Sequence, residues 1–216
     1  MHTNDLSVEL TERESERDAM VISDEATIRD YYDLRQQIAG YAEQMREVIM
    51  HPDYCLPFIQ PGRLVYVKHK DFDFGWGVVV DSHKRRVPKH AAEPYSPQES
   101  HIVHVLINVA GESSPGTLKG DNALPPGVKP PAKDGKSKME VVPTMLSCLQ
   151  KLAMVRIQVP KDLKQAEARK GIAKSVAEIQ RRFPDGLALL DPMEHMGIKD
   201  DNFKRLLRVC IMSILL

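Results

Sequence analysis

The sequence predicts an α+β chain in which a small closed β-barrel is inserted between antiparallel helices, and three observations carry that prediction. Apolar residues between 31 and 48 recur at helical intervals; from Pro61 the period falls to two, in short β-branched runs bounded by turn residues; helical spacing returns after Lys161. A chain of 216 residues, 42 % apolar, is long enough for one large domain or two small ones. The expected boundaries are an N-terminal tail and ascending helix over 1–60, a barrel over 61–160, and descending helices with an atypical apolar C-terminus over 161–216.

The first helix should start at Ser23, an acceptable N-cap followed by Asp24 and Glu25, whose charges suit the positive end of the helix dipole. Tyr31, Leu34, Ile38, Tyr41, Met45 and Val48 then make a narrow stripe of the kind that pairs with another helix. His51-Pro52 ends it, because the residue before proline is pushed out of the helical region. Upstream, Asp5 to Asp18 has too few apolar positions for a firm assignment.

Strands are expected at Arg63 to Lys68, Gly75 to Ser82, His101 to Val109, Met139 to Leu146 and Ala153 to Val159. The segment 111–138, rich in Gly, Pro, Ser and Lys, reads as a flexible loop. Five short strands leave costly edges, which favours closure. Gly75 and Gly77 flank the only tryptophan, Trp76, and suggest a tight hairpin where backbones approach closely. In the second helix Ile172, Val176, Ile179 and Phe183 repeat at intervals of 4, 3 and 4 until Pro184-Asp185-Gly186 stops the run. That stripe matches the first helix, so the two are expected to pair. A third helix should open at Asp200.

Charge balances overall, with 30 basic and 30 acidic residues, and this excludes a uniform polycation. Its distribution is uneven. Residues 1–30 hold nine acids and three bases, while 127–182 hold thirteen bases and five acids. Lys84, Arg85, Arg86 and Lys89 have no acid among them. Three widely spaced cysteines give neither a disulfide framework nor a metal half-site, and no run approaches the ~18 apolar residues of a membrane helix. A soluble chain in a reducing compartment, without membrane contact, is the expectation.

Several motifs resemble catalytic ones and lack their partners. Asp24-Glu25-Ala26-Thr27 imitates a Mg²⁺-holding acidic motif, but the sequence has no GxxxxGK[ST] phosphate cradle, so capping explains it better. His101 and His104, three apart on a strand, point to opposite faces and cannot share a metal without a bulge. Asp191-Pro192-Met193-Glu194-His195 has no nucleophile beside it and reads as a polar turn. Neither a catalytic group, a metal nor a cofactor is expected. Trp76, Phe72 and Phe74 either fill the core or floor a groove beside Lys68, Lys70 and the cluster at 84–89, where cations converging on one side would grip phosphates.

In order, the blocks FIQPGRLVYV, DFGWGVVVD, VRIQVPKDL and RRFPDGLALLDPMEHMGI resemble the arch insertion of the DExH-box RNA helicase family that serves the nuclear exosome, the helicase of the TRAMP complex. The resemblance runs from about Asp24 to Arg208. It implies a helical stalk carrying a KOW-type, SH3-like barrel, nuclear or nucleolar location, and a role in RNA processing and decay. It implies binding of structured RNA and of short acidic arch-interacting motifs on exosome adaptors, with the helicase core and exosome as partners of a longer protein. The family's ATPase lobes have no counterpart here, and VCIMSILL replaces a long charged stalk helix, as a truncation would. On this basis Lys68, Lys70, Lys84, Arg85, Arg86 and Lys89 are assigned to RNA. Arg63, Arg156 and Trp76 are assigned to the adaptor peptide, Arg156 as the bidentate partner of its carboxylate. The competing reading is a protein-interaction scaffold for acidic peptides with no RNA role.

Overall fold

A computed structural model describes residues 2–20, 23–86, 96–114, 116–118, 122–160 and 162–214, apart from the side chains of residues 2–5 and 211–214. The chain forms two compact units, Met1–Ala42 and Glu43–Leu216. In the first, helix α1 (His2–Ala19) is followed by most of α2 (Glu25–Ile49), which starts one turn residue after Ser23. Among the described side chains before Glu43 none is buried, and only Ile38 and Tyr41 of the predicted stripe are half-buried. The end of the stripe lies in the second unit, where Met45 and Val48 pack on the core. Pro52 opens the short helix α3 (Pro52–Cys55), where its missing N–H costs nothing.

All five expected strands form, the fifth starting four residues before its expected place: β1 (Arg63–His69), β2 (Phe72–Lys84), β3 (His101–Ala110), β4 (Ser137–Met145) and β5 (Leu149–Arg156). They make one antiparallel sheet in the order β4-β3-β2-β1-β5. The expected closure is not made by hydrogen bonds: among the described residues the sheet is open, its edge strands β4 and β5 are not paired with each other, and the chain joins them through a single 3-10 turn, Leu146–Cys148. Side chains from all five strands meet in one cluster on the inner side, among them Val65, Val79, Val105, Val142 and Leu149, closed over by Met50 and Phe203. Each fully buried side chain of this kind contributes roughly 1.5–3 kcal/mol relative to leaving it in water.

The other side of the sheet is apolar as well, and this decides where α4 (Ala166–Arg182) goes. Leu64, Val78 and Leu106 alternate outward, and Ile172 and Val176 of α4 are buried against them. The stripe expected to meet the first helix therefore covers the sheet, because a strand buried on both faces needs a second layer. After α4, Asp200 caps α5 (Asp201–Ile214) by accepting a 2.7 Å hydrogen bond from Phe203 N–H.

Glycine does different work from that expected. The β1–β2 turn falls at Lys70-Asp71, with Lys70 itself at φ 54°, so Gly75 and Gly77 sit inside β2 and not in a hairpin turn. A Cβ on Gly77 would lie 2.4 Å from Ile107 Cγ2, so the expected close approach is between strand and core side chain. In the segment between β3 and β4 the described residues are irregular, and some of them are fixed in place. Leu124 and Val128 are buried, Lys129 N–H bonds to Ser113 Oγ, and Met145 N–H at the outer edge of β4 donates to Ala123 O at 3.0 Å. Its apolar residues, few as they are, reach the core. Further along β4, Pro143 stands opposite His104.

Candidate functional site

The cations assigned to RNA occupy two places. Lys68 and Lys70 are exposed at the tip of the β1–β2 hairpin. With Glu43, Arg46, His69, Ser147 and Gln150 they line a shallow hollow of about 330 Å³. Arg46 is fixed there by the Glu43 carboxylate and by a 3.1 Å bond to Ser147 O. The same contact with Arg46 lowers the Glu43 pKa. Burial, and then the charge of Lys70, pulls the His69 imidazole down, which favours its neutral form.

Lys84 ends β2 opposite His101, and Arg85 continues the pairing through its N–H to Ser100 O at 2.8 Å. Burial lowers His101, with Lys84 and His83 adding to the effect. Lys84 and Arg86 are exposed, Arg85 is half-buried, and Lys89 lies outside the described residues. β2 is thirteen residues long, so at ~3.3 Å per residue roughly 40 Å of strand separates this group from the hairpin tip. The expected convergence of both groups beside the aromatic cluster does not occur.

The aromatic residues also divide. Phe74 is buried in the core, Phe72 is exposed, and Trp76 is half-buried on the outer side. Trp76 meets Tyr66 edge-on with centroids 5.4 Å apart, and Tyr66 donates to Asp73 Oδ2 at 2.8 Å. In front of Trp76 a groove of about 540 Å³ runs between β2, β4 and α4, lined by Met139, Ala173, Val176 and Ala177. Lys138, Arg169 and Lys170 form its basic rim, and Glu140 lies 3.8 Å from Arg169 and 3.9 Å from Lys138. Sequence reasoning placed Lys138 in a loop, whereas it belongs to β4, and it passed over Arg169 and Lys170. The signal was the helical spacing of Ala166, Arg169, Lys170, Ala173, Ala177 and Gln180, a face of small residues between cations.

Arg63 is no part of that groove. Its side chain is buried and donates to three backbone carbonyls: Phe58 O at 3.1 Å, Ala153 O at 3.1 Å and Met154 O at 2.7 Å. Burial, then the charge of Arg156, lowers its pKa. With Nε and Nη1 so engaged it ties the start of β1 to β5. Arg156, paired with it across the ladder, is exposed and donates to Gln60 Oε1 at 2.9 Å and Pro61 O at 3.0 Å. Asp191 accepts from the N–H groups of Met193 and Glu194, with His195 accepting from Asp191 N–H, so this cluster caps a turn as expected.

A barrel with an exposed helical lead-in is also what comparison with known proteins finds. The family model described as Mtr4-like, beta-barrel domain, matches residues 51–210, and that described as Exosome RNA helicase MTR4-like, stalk, matches residues 3–50. The chain belongs to the Mtr4-like family. It is 42 % identical over 203 residues to the ATP-dependent RNA helicase mtr4 of Schizosaccharomyces pombe, covering 94 % of this chain and 18 % of that protein. The Exosome RNA helicase MTR4 of Mus musculus is 41 % identical and that of Homo sapiens 40 %, each over 195 residues, 90 % of this chain and 18 % of theirs. The chain thus spans about a fifth of the length of these Mtr4-like relatives and corresponds to their stalk-and-barrel arch. The barrel match takes in α4 and most of α5.

Proposed function

We propose that the chain is the RNA-gripping and adaptor-docking arch of a nuclear exosome helicase, acting by position and with no catalytic role of its own. The observation that carries this reading is a set of exposed, unneutralised cations at the two ends of β2, where several helix cations are held by neighbouring acids. Arg29 pairs with Glu25, Lys170 with Glu167, and Arg181 and Arg182 with Glu178. Lys68, Lys70, Lys84 and Arg86 are exposed at the two ends of β2 and in no ion pair among the described residues. Unneutralised cations at both ends of one strand suit a structured RNA that touches the barrel at two points. Each contact releases counterions from the phosphate backbone. The groove before Trp76, apolar below and basic at its rim, suits a short adaptor segment with one acidic residue. ATP-driven unwinding, the activity in the fission-yeast relative's name, belongs in this reading to regions this chain does not span.

Fluorescence anisotropy with a structured RNA across a salt series tests the proposal. A slope of log K against log salt of about −3 to −4 is expected for about four phosphate contacts, at roughly −0.7 per contact on single strands and roughly −0.9 on duplex. Lys84→Ala/Arg85→Ala/Arg86→Ala should flatten the slope and weaken binding. A salt-insensitive interaction would overturn the RNA role. The scaffold reading is favoured if an acidic peptide shifts the emission of the sole tryptophan, Trp76, while RNA binds no better to the chain than to the triple variant.

A further inference from the structure

Between β2 and β3, on the outer side of the barrel, three metal-ligating side chains converge that no part of the RNA or peptide reading uses. The ladder skips a residue between Val79 and Asp81, so Val80 has no partner and Asp81, instead of Val80, stands opposite His104. Bulges of this kind re-aim side chains next to functional sites. Two residues on, His83 points to the same side as Asp81, since strand side chains alternate. His83 and His104 stack with ring centroids 5.2 Å apart and planes 28° from parallel. His104 Nδ1 lies 2.5 Å from Asp81 Oδ1, and one ligand atom from each of the three residues falls within 4.8 Å of the other two. The pair His101 and His104, spaced as a metal motif, is split by the same alternation: His101 is paired with Lys84, on the side of Val103 and the core.

We propose that Asp81, His83 and His104 form a Zn²⁺ site with three protein ligands and an open position for water. Two imidazoles and one carboxylate are the donor set of zinc sites, whereas Ca²⁺ and Mg²⁺ take oxygen ligands. Bonds of about 2.0–2.1 Å to a tetrahedral ion place ligand atoms about 3.3 Å apart. The contact between His104 and Asp81 must therefore open slightly, and His83, within 4.8 Å of both, must come to the same spacing. Rotation of the exposed Asp81 and His83 side chains about half-buried His104 achieves both, the Asp81 side chain being 63 % accessible. The bound ion would fasten β2 to β3 at the bulge, just before the Lys84–Arg86 group.

Titration of Zn²⁺ into the untagged, chelator-treated 216-residue chain by calorimetry tests this, with Co²⁺ absorption as a second readout of coordination geometry. The expected result is saturation at one equivalent and the visible absorption of a tetrahedral Co²⁺ ion. His83→Ala and His104→Ala should each weaken binding by at least about tenfold. His101→Ala, on the opposite side of the same strands, should leave it unchanged. Far-UV circular dichroism of the metal-free variants checks that the sheet is intact, the expected result for exposed His83 and half-buried His104. Absence of saturable uptake at one equivalent, binding that survives both histidine substitutions, or an equal loss in His101→Ala would each overturn the proposal.

Discussion

Residues 1–42 and 43–216 carry helical stripes of similar regularity, and only the second region gives its stripe something to cover. Tyr31 and Leu34 on α2 are 60 % and 43 % exposed, while Ile172 and Val176 on α4 are 4 % and 6 % exposed. Spacing decides that a segment is helical, but burial belongs to the surface it meets. Here that surface is the apolar outer side of the sheet, made by Leu64, Val78 and Leu106.

The sharpest way to break this contrast is to truncate side chains on both sides of it. Leu149→Ala on the inner side of the sheet and Leu64→Ala on the outer should each cost about 2–5 kcal/mol in urea unfolding, from lost transfer energy and a residual cavity. Leu34→Ala should change the same midpoint by no more than about 0.5 kcal/mol. A comparable loss at Leu34 would show that α2 is buried after all.

Next in size comes the pair of arginines. Arg63→Ala strands three carbonyl acceptors in a buried place and should cost about 2–4 kcal/mol, whereas Arg156→Ala should cost under about 1 kcal/mol. Thermal unfolding of the two variants measures the difference. Equal and small effects would return Arg63 to the candidate ligand contacts.

Buried thiols sharpen the comparison further. Burial pushes Cys55 and Cys148 up to about 12, so both stay neutral in the fold while the unfolded chain ionises earlier. Their contribution is therefore complete below the ordinary thiol range and is lost as pH rises from there toward 12. The denaturant midpoint should fall over that interval. At pH 8 a disulfide-exchange reagent should titrate half-exposed Cys210 in the native chain, and Cys55 and Cys148 only after unfolding. Smallest of all, Lys84→Ala/Arg86→Ala should move thermal stability by no more than about 0.5 kcal/mol, which separates their role from that of Arg63.

Much of the fold was legible because burial leaves a period in the sequence. All five strands follow from alternation, and His51-Pro52 marks the end of α2 by backbone sterics alone. The site was less legible, for three reasons. Arg63 bonds to backbone carbonyls, which have no residue identity to read. The groove before Trp76 is closed by α4, about ninety residues further along the chain, and its small-residue face looked like ordinary helix. The two cation groups were expected on one side because spacing along the chain does not fix where a strand turns; the turn at Lys70-Asp71 and the length of β2 put them at its opposite ends. Asp81-Ser82-His83 had the spacing of one strand face all along, but its alignment with His104 depends on a skipped residue that alternation cannot reveal.

The outer margin of β4 bears on whether such sheets stack into fibres. A foreign strand docking there would need a continuous row of free amide protons. Proline at 143 withholds one, and the amide of Met145 is already given to Ala123. The segment connecting β3 to β4 thus guards against polymerisation at that margin, and because Leu124 and Val128 of the same segment are buried, shortening it around Ala123 should reduce solubility and fold stability together.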